Sequence, residues 1–137
     1  WDARGYGDSD DYDGPVTIGD FSADLLRLID YVGARAAHLV GLSMGGRIAM
    51  DFYERHPAHV ATLTLCDTHP GFAGLRPDQR EAFLRPRQAP LLAGKEPRDI
   101  APTLARNLVG PNATPAIVQR LVDSLSQLLF LSVCQRF

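Results

Sequence analysis

Ser43 is the residue in this sequence best placed for covalent chemistry. It stands in Gly41-Leu42-Ser43-Met44-Gly45, after the apolar run "HLVGL" (38–42) and before "GRIAMDFYERHP" (46–57). A serine between two glycines, at a change from strand-like to helix-like pattern, fits the G-x-S-x-G nucleophile elbow. The reason for the spacing is steric. A sharp strand-to-helix turn holds the serine in a strained backbone conformation, and side chains at positions 41 and 45 would collide. Such a turn lifts the Ser43 hydroxyl above the strand end. It sets the backbone N–H of Met44 beside the reacting carbonyl, where it can donate to an oxyanion, and the helix beginning near Gly45 adds its positive end.

A serine hydroxyl is a weak nucleophile until a base, usually His oriented by a carboxylate, takes its proton. The chain holds four histidines. His38 opens the strand that leads to Ser43 and is expected at the opposite end of the sheet. His56 and His59 flank the far end of the following helix, and all three are expected at the surface. Asp67 and His69 differ, because they follow the apolar run "VATLTLC" (60–66) and so fall on the same sheet edge as Ser43. One reading makes Ser43, His69 and Asp67 a triad. The other, which the two-residue separation favours, has Asp67 capping the turn through its side chain and His69 lining a pocket or hinge.

The elements that must position these residues are legible from periodicity. Residues 2–15, rich in Gly and Asp, read as loop. Thr17 and Asp20 have capping-box spacing, and Phe21, Leu25, Leu28, Ile29 and Val32 follow on one helical face, with Gly33 as the stop. After the strand at 38–42, Ile48, Ala49, Phe52 and Tyr53 share a side of a helix that Pro57 ends. Residues 60–66, β-branched and apolar, read as a second strand. Helix, strand, helix, strand in this order calls for parallel strands with crossover helices. Beyond Pro70 no strand pattern recurs. The stretches 75–94 and 96–110 are helical but broken by Pro86, Pro90, Pro97 and Pro102. A cleaner helix follows, capped by Thr114 with Pro115 in its first turn and with Ile117, Leu121, Leu125 and Leu128 as a stripe. These kinked helices suggest a lid, whose apolar Phe72, Phe83, Leu91 and Leu92 would offer an apolar pocket.

Other signals are weaker. Ser9, Asp11, Asp13, Gly14 and Asp20 occupy EF-hand-like positions, but the first is Ser, the last is not Glu and no helix enters; a solvated acidic loop is the better reading. Asp2 and Arg4 could make a catalytic-looking pair, but are rather expected to tie their loop to its neighbours. Arg76, Arg80, Arg85 and Arg87 are expected on a solvated face. Cys66 reads as a buried thiol in a strand and Cys134 lies near the end; neither suggests a disulfide or zinc site. No metal or cofactor is expected. The 137 residues amount to about one domain, with 45% hydrophobic and 22% charged residues. A net charge of −2, from 14 basic and 16 acidic residues, gives no bulk attraction to nucleic acid or to an anionic membrane. No apolar run reaches transmembrane length and no signal-peptide pattern opens the sequence, so a cytoplasmic location is expected.

At these residues the sequence resembles the α/β-hydrolase fold family, particularly its 3-oxoadipate enol-lactonase-like hydrolases and small carboxylesterases. "DARGYGDSD" (2–10) resembles the family's D-x-R-G-x-G-x-S loop after the fourth strand. "HLVGLSMGGRIAMDFYERHPAHVATLTLCDT" (38–68) resembles its elbow, the following helix and the sixth strand. The resemblance covers about residues 1–128. It implies a partial α/β-hydrolase core at 1–75, a helical lid at 76–129 and a tail at 130–137. It implies cleavage of a small carboxylic ester or lactone through an acyl-serine intermediate. Ser43 is then the nucleophile and Met44 the backbone oxyanion donor, with Leu42, His69 and Phe83 against the substrate. In the family the acid and the His follow Ser along the chain, after strands that "WDARGYG…CQRF" does not display, and a second oxyanion amide comes from a loop that would precede Trp1. The sequence is therefore expected to be the middle of an enzyme, inactive alone for want of its His base. Perhydrolysis or C–C bond hydrolysis on the same elbow, and a non-catalytic binding module, remain alternatives.

Overall fold

The computed structural model describes residues 1–10, 12–71, 74 and 76–127, the side chains of Phe83 and Arg87 excepted. Two compact units are present, one comprising 16–75 and the other 1–15 together with 76–137. The first fifteen residues thus group with the helical part of the chain.

In the unit 16–75, helix α1 (Ile18–Tyr31) precedes strand β1 (Ala37–Leu42), helix α2 (Met44–Arg55), a 3₁₀ turn at Pro57–His59 and strand β2 (Val60–Cys66). The capping box at the start of α1 forms as its spacing predicts. The Thr17 hydroxyl accepts from the Asp20 N–H at 3.3 Å while the Asp20 carboxylate accepts from the Thr17 N–H at 2.7 Å. β1 and β2 pair in parallel, with Leu39 opposite Leu63, Gly41 opposite Leu65 and Leu42 opposite Cys66. The crossover expected from the order of elements is therefore present, with α2 as its helix.

The core of this unit is Leu25 and Ile29 of α1, Leu39 of β1, and Ala49 and Phe52 of α2, with Leu63 of β2 against them. Alternation along β1 explains the choice. Leu39 and Gly41 turn inward and are buried, while Val40 and Leu42 point to the other face and stay exposed. A polar clamp reinforces the α1–α2 contact. Ser22, fully buried on α1, donates its hydroxyl to the Asp51 carboxylate on α2, which also accepts from Arg55 Nε at 2.6 Å. Two expected core positions lie outside it. Val32 caps α1 beyond its last turn and is exposed, and Tyr53 sits at the rim of the α2 stripe, also exposed.

The second unit holds the loop 1–15 and three helices, α3 (Pro77–Leu92), α4 (Pro97–Leu108) and α5 (Pro115–Ser126). Within the loop, the Asp2 carboxylate accepts from the Asp8 N–H at 3.1 Å and its carbonyl accepts from the Ser9 hydroxyl at 2.6 Å. Of the prolines expected to break the helices, Pro97 opens α4 while Pro86, Pro90 and Pro102 do not interrupt theirs. α3 runs through Pro86 and Pro90, and α4 through Pro102. Pro86 and Pro90 are four residues apart and so share a side of the helix. The carbonyls they deprive, those of Ala82 and Pro86, belong to exposed residues. Within this unit α4 packs against α5. Thr114 caps α5 as expected, accepting from the Ile117 N–H at 3.4 Å. Of the expected α5 stripe, Leu121 and Leu125 are half-buried, Ile117 is exposed, and Leu128 lies outside the described residues. No helix among the described residues is long and apolar enough to cross a membrane.

Candidate active site

β1 ends at Leu42 and α2 begins at Met44, one residue earlier than expected, so Ser43 alone makes the turn. Its backbone sits at φ 51° and ψ −114°, a region a side chain adopts at a cost of about 1–3 kcal/mol. Bonds at both ends hold it there. The Ser43 N–H donates to the Cys66 carbonyl at 3.0 Å, extending the parallel ladder one step past the strand. The Ser43 carbonyl accepts from the Gly46 N–H at 3.1 Å, from the Arg47 N–H at 3.3 Å and from the Thr68 hydroxyl at 2.6 Å. The side chain is exposed. Met44 opens α2, so its N–H lies at the positive end of the helix beside Ser43.

The glycines divide differently from the expectation. A Cβ on Gly41 would lie 2.5 Å from the Gly45 carbonyl oxygen and 2.6 Å from the Gly46 Cα, so β1 and α2 cross here with no room for a methyl group. Gly45 was expected to be constrained in the same way, and it is not: a Cβ there would meet nothing within 4 Å. The constrained position is the next one. A Cβ on Gly46 would fall 2.5 Å from Thr68 Cγ2 and 2.7 Å from Thr68 Cβ. Sequence reasoning passed over Gly46 and Thr68. The tandem glycine at 45–46 was the available signal, whereas Thr68 carried none, because its partner is backbone 25 residues away.

Leu42, the last residue of β1, is exposed beside Ser43. His69 lies three residues past the end of β2, also exposed, and its Nδ1 is within 3.1 Å of the Gly71 N–H and 3.2 Å of the Gly71 carbonyl. In a catalytic triad that nitrogen would face the carboxylate, whereas here it faces the Gly71 backbone. Asp67 takes a positive φ of 42° at the end of β2. His38 sits at the start of β1, its Nδ1 2.8 Å from the Thr62 hydroxyl, at the end of the strand remote from Ser43. His56 and His59 lie beyond the C-terminus of α2, as expected, but they are half-buried rather than at the surface. Phe52 draws His56 inward, with ring centroids 5.1 Å apart, and His59 meets the His56 ring edge-on at 6.2 Å.

The Phe83 side chain, Phe72, Asp11 and Cys134 lie outside the described residues. Cys66 is half-buried and unbridged. Arg76 pairs with Asp78 at 2.8 Å on an exposed surface, and this bond raises the guanidinium pKa and lowers that of the carboxyl. Among the described residues no group of three or more His, Cys, Asp or Glu is arranged to hold a metal ion, and the Asp20 carboxylate of the EF-hand-like pattern is engaged in the α1 cap.

A family model described as alpha/beta hydrolase fold matches residues 1–111. A hydrolase from Pseudomonas aeruginosa PA01 is similar over 98% of this chain, with TM-score 0.80 and 29% identity, and the match covers 49% of that chain. A thermophilic esterase from Thermogutta terrifontis is similar over 98% of this chain, with TM-score 0.82 and 26% identity, covering 50% of that chain. A protein of Bacillus subtilis (strain 168), provisionally named 2-succinyl-6-hydroxy-2,4-cyclohexadiene-1-carboxylate synthase, is 36% identical over 66 residues, or 48% of this chain and 24% of that protein. The chain thus spans about half the length of these solved structures and aligns with about a quarter of the curated relative.

Proposed function

The chain belongs to the alpha/beta hydrolase fold family, and on that premise we propose that it carries the nucleophile of a serine hydrolase that cleaves a small carboxylic ester or lactone. The observation that carries the reading is the backbone of Ser43. A non-glycine residue at φ 51°, exposed at the junction of β1 and α2, holds its hydroxyl clear of the strand. The likeness to an esterase supports an ester as substrate.

In this reading the Ser43 Oγ gives its proton to a His base and bonds to the substrate carbonyl carbon. The carbonyl π pair moves onto oxygen, where the Met44 N–H meets the new charge. Collapse of the tetrahedral species breaks the C–O bond to the leaving alkoxide, which takes the proton from the His. Water then repeats the sequence on the acyl-serine and releases the acid. The base comes from outside these 137 residues. His38, His56 and His59 lie at the far ends of β1 and α2, and the Nδ1 of His69 is engaged by Gly71. Leu42 and His69, exposed at the same sheet end, flank the substrate.

A fluorophosphonate probe tests this, with the modified residue located by mass spectrometry. Labelling of Ser43 in a longer form of the protein but not in these 137 residues is the expected result. Labelling of Ser43 in the 137-residue chain would place a base within it. Absence of labelling in both would favour a binding module. Perhydrolysis or C–C bond hydrolysis would label equally, and product analysis with an ester, with peroxide and with a diketone separates them.

A further inference from the structure

We infer that Thr68 is a positioning residue for the oxyanion donor, acting through a single peptide plane. The Ser43 carbonyl and the Met44 N–H belong to the same planar peptide group, so whatever fixes the oxygen aims the N–H at the opposite end. The Thr68 hydroxyl, 2.6 Å from that oxygen, makes the shortest of its three hydrogen bonds. The other two donors, the N–H groups of Gly46 and Arg47, belong to the helix and move with it. Thr68 reaches the oxygen from the segment that follows β2, and so ties the plane to the sheet. Its side chain lies over Gly46, where a Cβ would fall 2.5 Å from its methyl carbon and 2.7 Å from its Oγ1. The absence of that Cβ is what lets Thr68 sit within hydrogen-bond reach. A donor on the carbonyl oxygen also polarises the amide, making its N–H a better partner for negative charge. Thr68 therefore acts on both the direction and the strength of the Met44 N–H without touching the substrate.

This inference rests on Ser43 being the nucleophile for its kinetic consequence, but not for its structural one, and the experiment separates the two. Thr68→Val keeps the branched shape and removes the hydroxyl; Thr68→Ser keeps the hydroxyl and removes the methyl. In the longer form of the protein, the limiting rate of fluorophosphonate labelling should fall about tenfold in Thr68→Val, a fraction of what loss of a whole donor causes. The half-saturating probe concentration should stay put, and Thr68→Ser should return the rate to within about twofold. In the 137-residue chain, the Met44 amide nitrogen should move upfield in Thr68→Val and not in Thr68→Ser. If the wild-type protein does not label, the nucleophile reading fails, while the Met44 shift still decides the role of Thr68. An unmoved Met44 amide in Thr68→Val, or equal impairment of both variants, would overturn the inference, the latter assigning Thr68 to packing.

Discussion

Alanine substitution at each of the three glycines around Ser43 makes a graded stability experiment whose order the geometry dictates. At Gly41 the added methyl would stand 2.5–2.6 Å from backbone atoms of Gly45 and Gly46, where ordinary contact is 3.4–4 Å. Backbone cannot rotate away, so the first turn of α2 must lift off β1. Overpacking of that kind costs about 1–3 kcal/mol, and here it also strains the Ser43 N–H bond to Cys66. At Gly46 the methyl meets Thr68 Cγ2, Cβ and Oγ1 together, between 2.5 and 2.7 Å. Rotation about χ1 does not clear a clash with Cβ itself, so the segment after β2 must shift. The cost is again about 1–3 kcal/mol, with the loss of the Thr68–Ser43 hydrogen bond, about 1 kcal/mol, included. At Gly45 nothing lies within 4 Å. Alanine there removes unfolded-state freedom and improves helix propensity, a gain of about 0.4–1 kcal/mol. Urea denaturation of the 137-residue chain reads all three, provided the m-values agree. The expected order of stability is Gly45→Ala, wild type, Gly46→Ala, Gly41→Ala. If Gly45→Ala is as damaging as Gly41→Ala, the symmetric steric account of the elbow is right and the present one is wrong.

Three further outcomes are expected. Hydrogen bonding from Arg55, with a smaller contribution from Ser22, holds the Asp51 carboxyl below its ordinary pKa, despite an opposing push from burial. The folded state therefore binds that proton less readily than the unfolded chain. The clamp's contribution is fully present above the unfolded value of about 4 and is lost as pH falls through the folded one. Melting temperature against pH should show this acid loss in the wild type and a shallower one in Asp51→Asn, while Ser22→Ala should cost about 1.5–3 kcal/mol near neutrality; equal acid slopes would remove Asp51 from the account. At the nucleophile, both Ser43→Ala and Ser43→Gly abolish probe labelling. Only the glycine relieves the positive φ, so Ser43→Gly should melt higher than Ser43→Ala by the equivalent of about 1 kcal/mol, and the reverse order would mean that Ser43 is not strained.

What the sequence disclosed follows from the range of the forces involved. Capping of α1 by Thr17 and Asp20, the strands at 37–42 and 60–66, and Ser43 at a strand-to-helix turn are written in neighbouring residues, and local pattern reads them. Two kinds of feature escaped. One depends on partners distant in sequence: the Thr68 hydroxyl on the Ser43 carbonyl, the Ser22–Asp51 bond and the inward pull of Phe52 on His56 have no periodic signature. The other depends on whether a local rule meets water. Pro86 and Pro90 look like helix breakers, yet α3 continues through them at residues, Ala82 and Pro86, that are exposed. Val32 fits the α1 stripe by spacing but falls in the cap, where the stripe no longer faces the core.

Strain in the unit 16–75 is concentrated where the chemistry is proposed. Among the described residues, the non-glycine residues with positive φ are Ser43 and Asp67. They follow Leu42 and Cys66, which are register partners, so both kinks stand one step past the ends of paired strands. Ligands of parallel sheets collect at the carboxyl ends of strands, and strained backbone persists only where its surroundings over-determine it. At Ser43 that over-determination can be named: a ladder bond to Cys66 on one side, and three donors on the carbonyl on the other. One of those donors, Thr68, is the residue directly after Asp67. The second kink thus carries the chain to the position from which its next side chain holds the first. The two unfavourable conformations form one device, in which the turn after β2 is bent to brace the turn after β1.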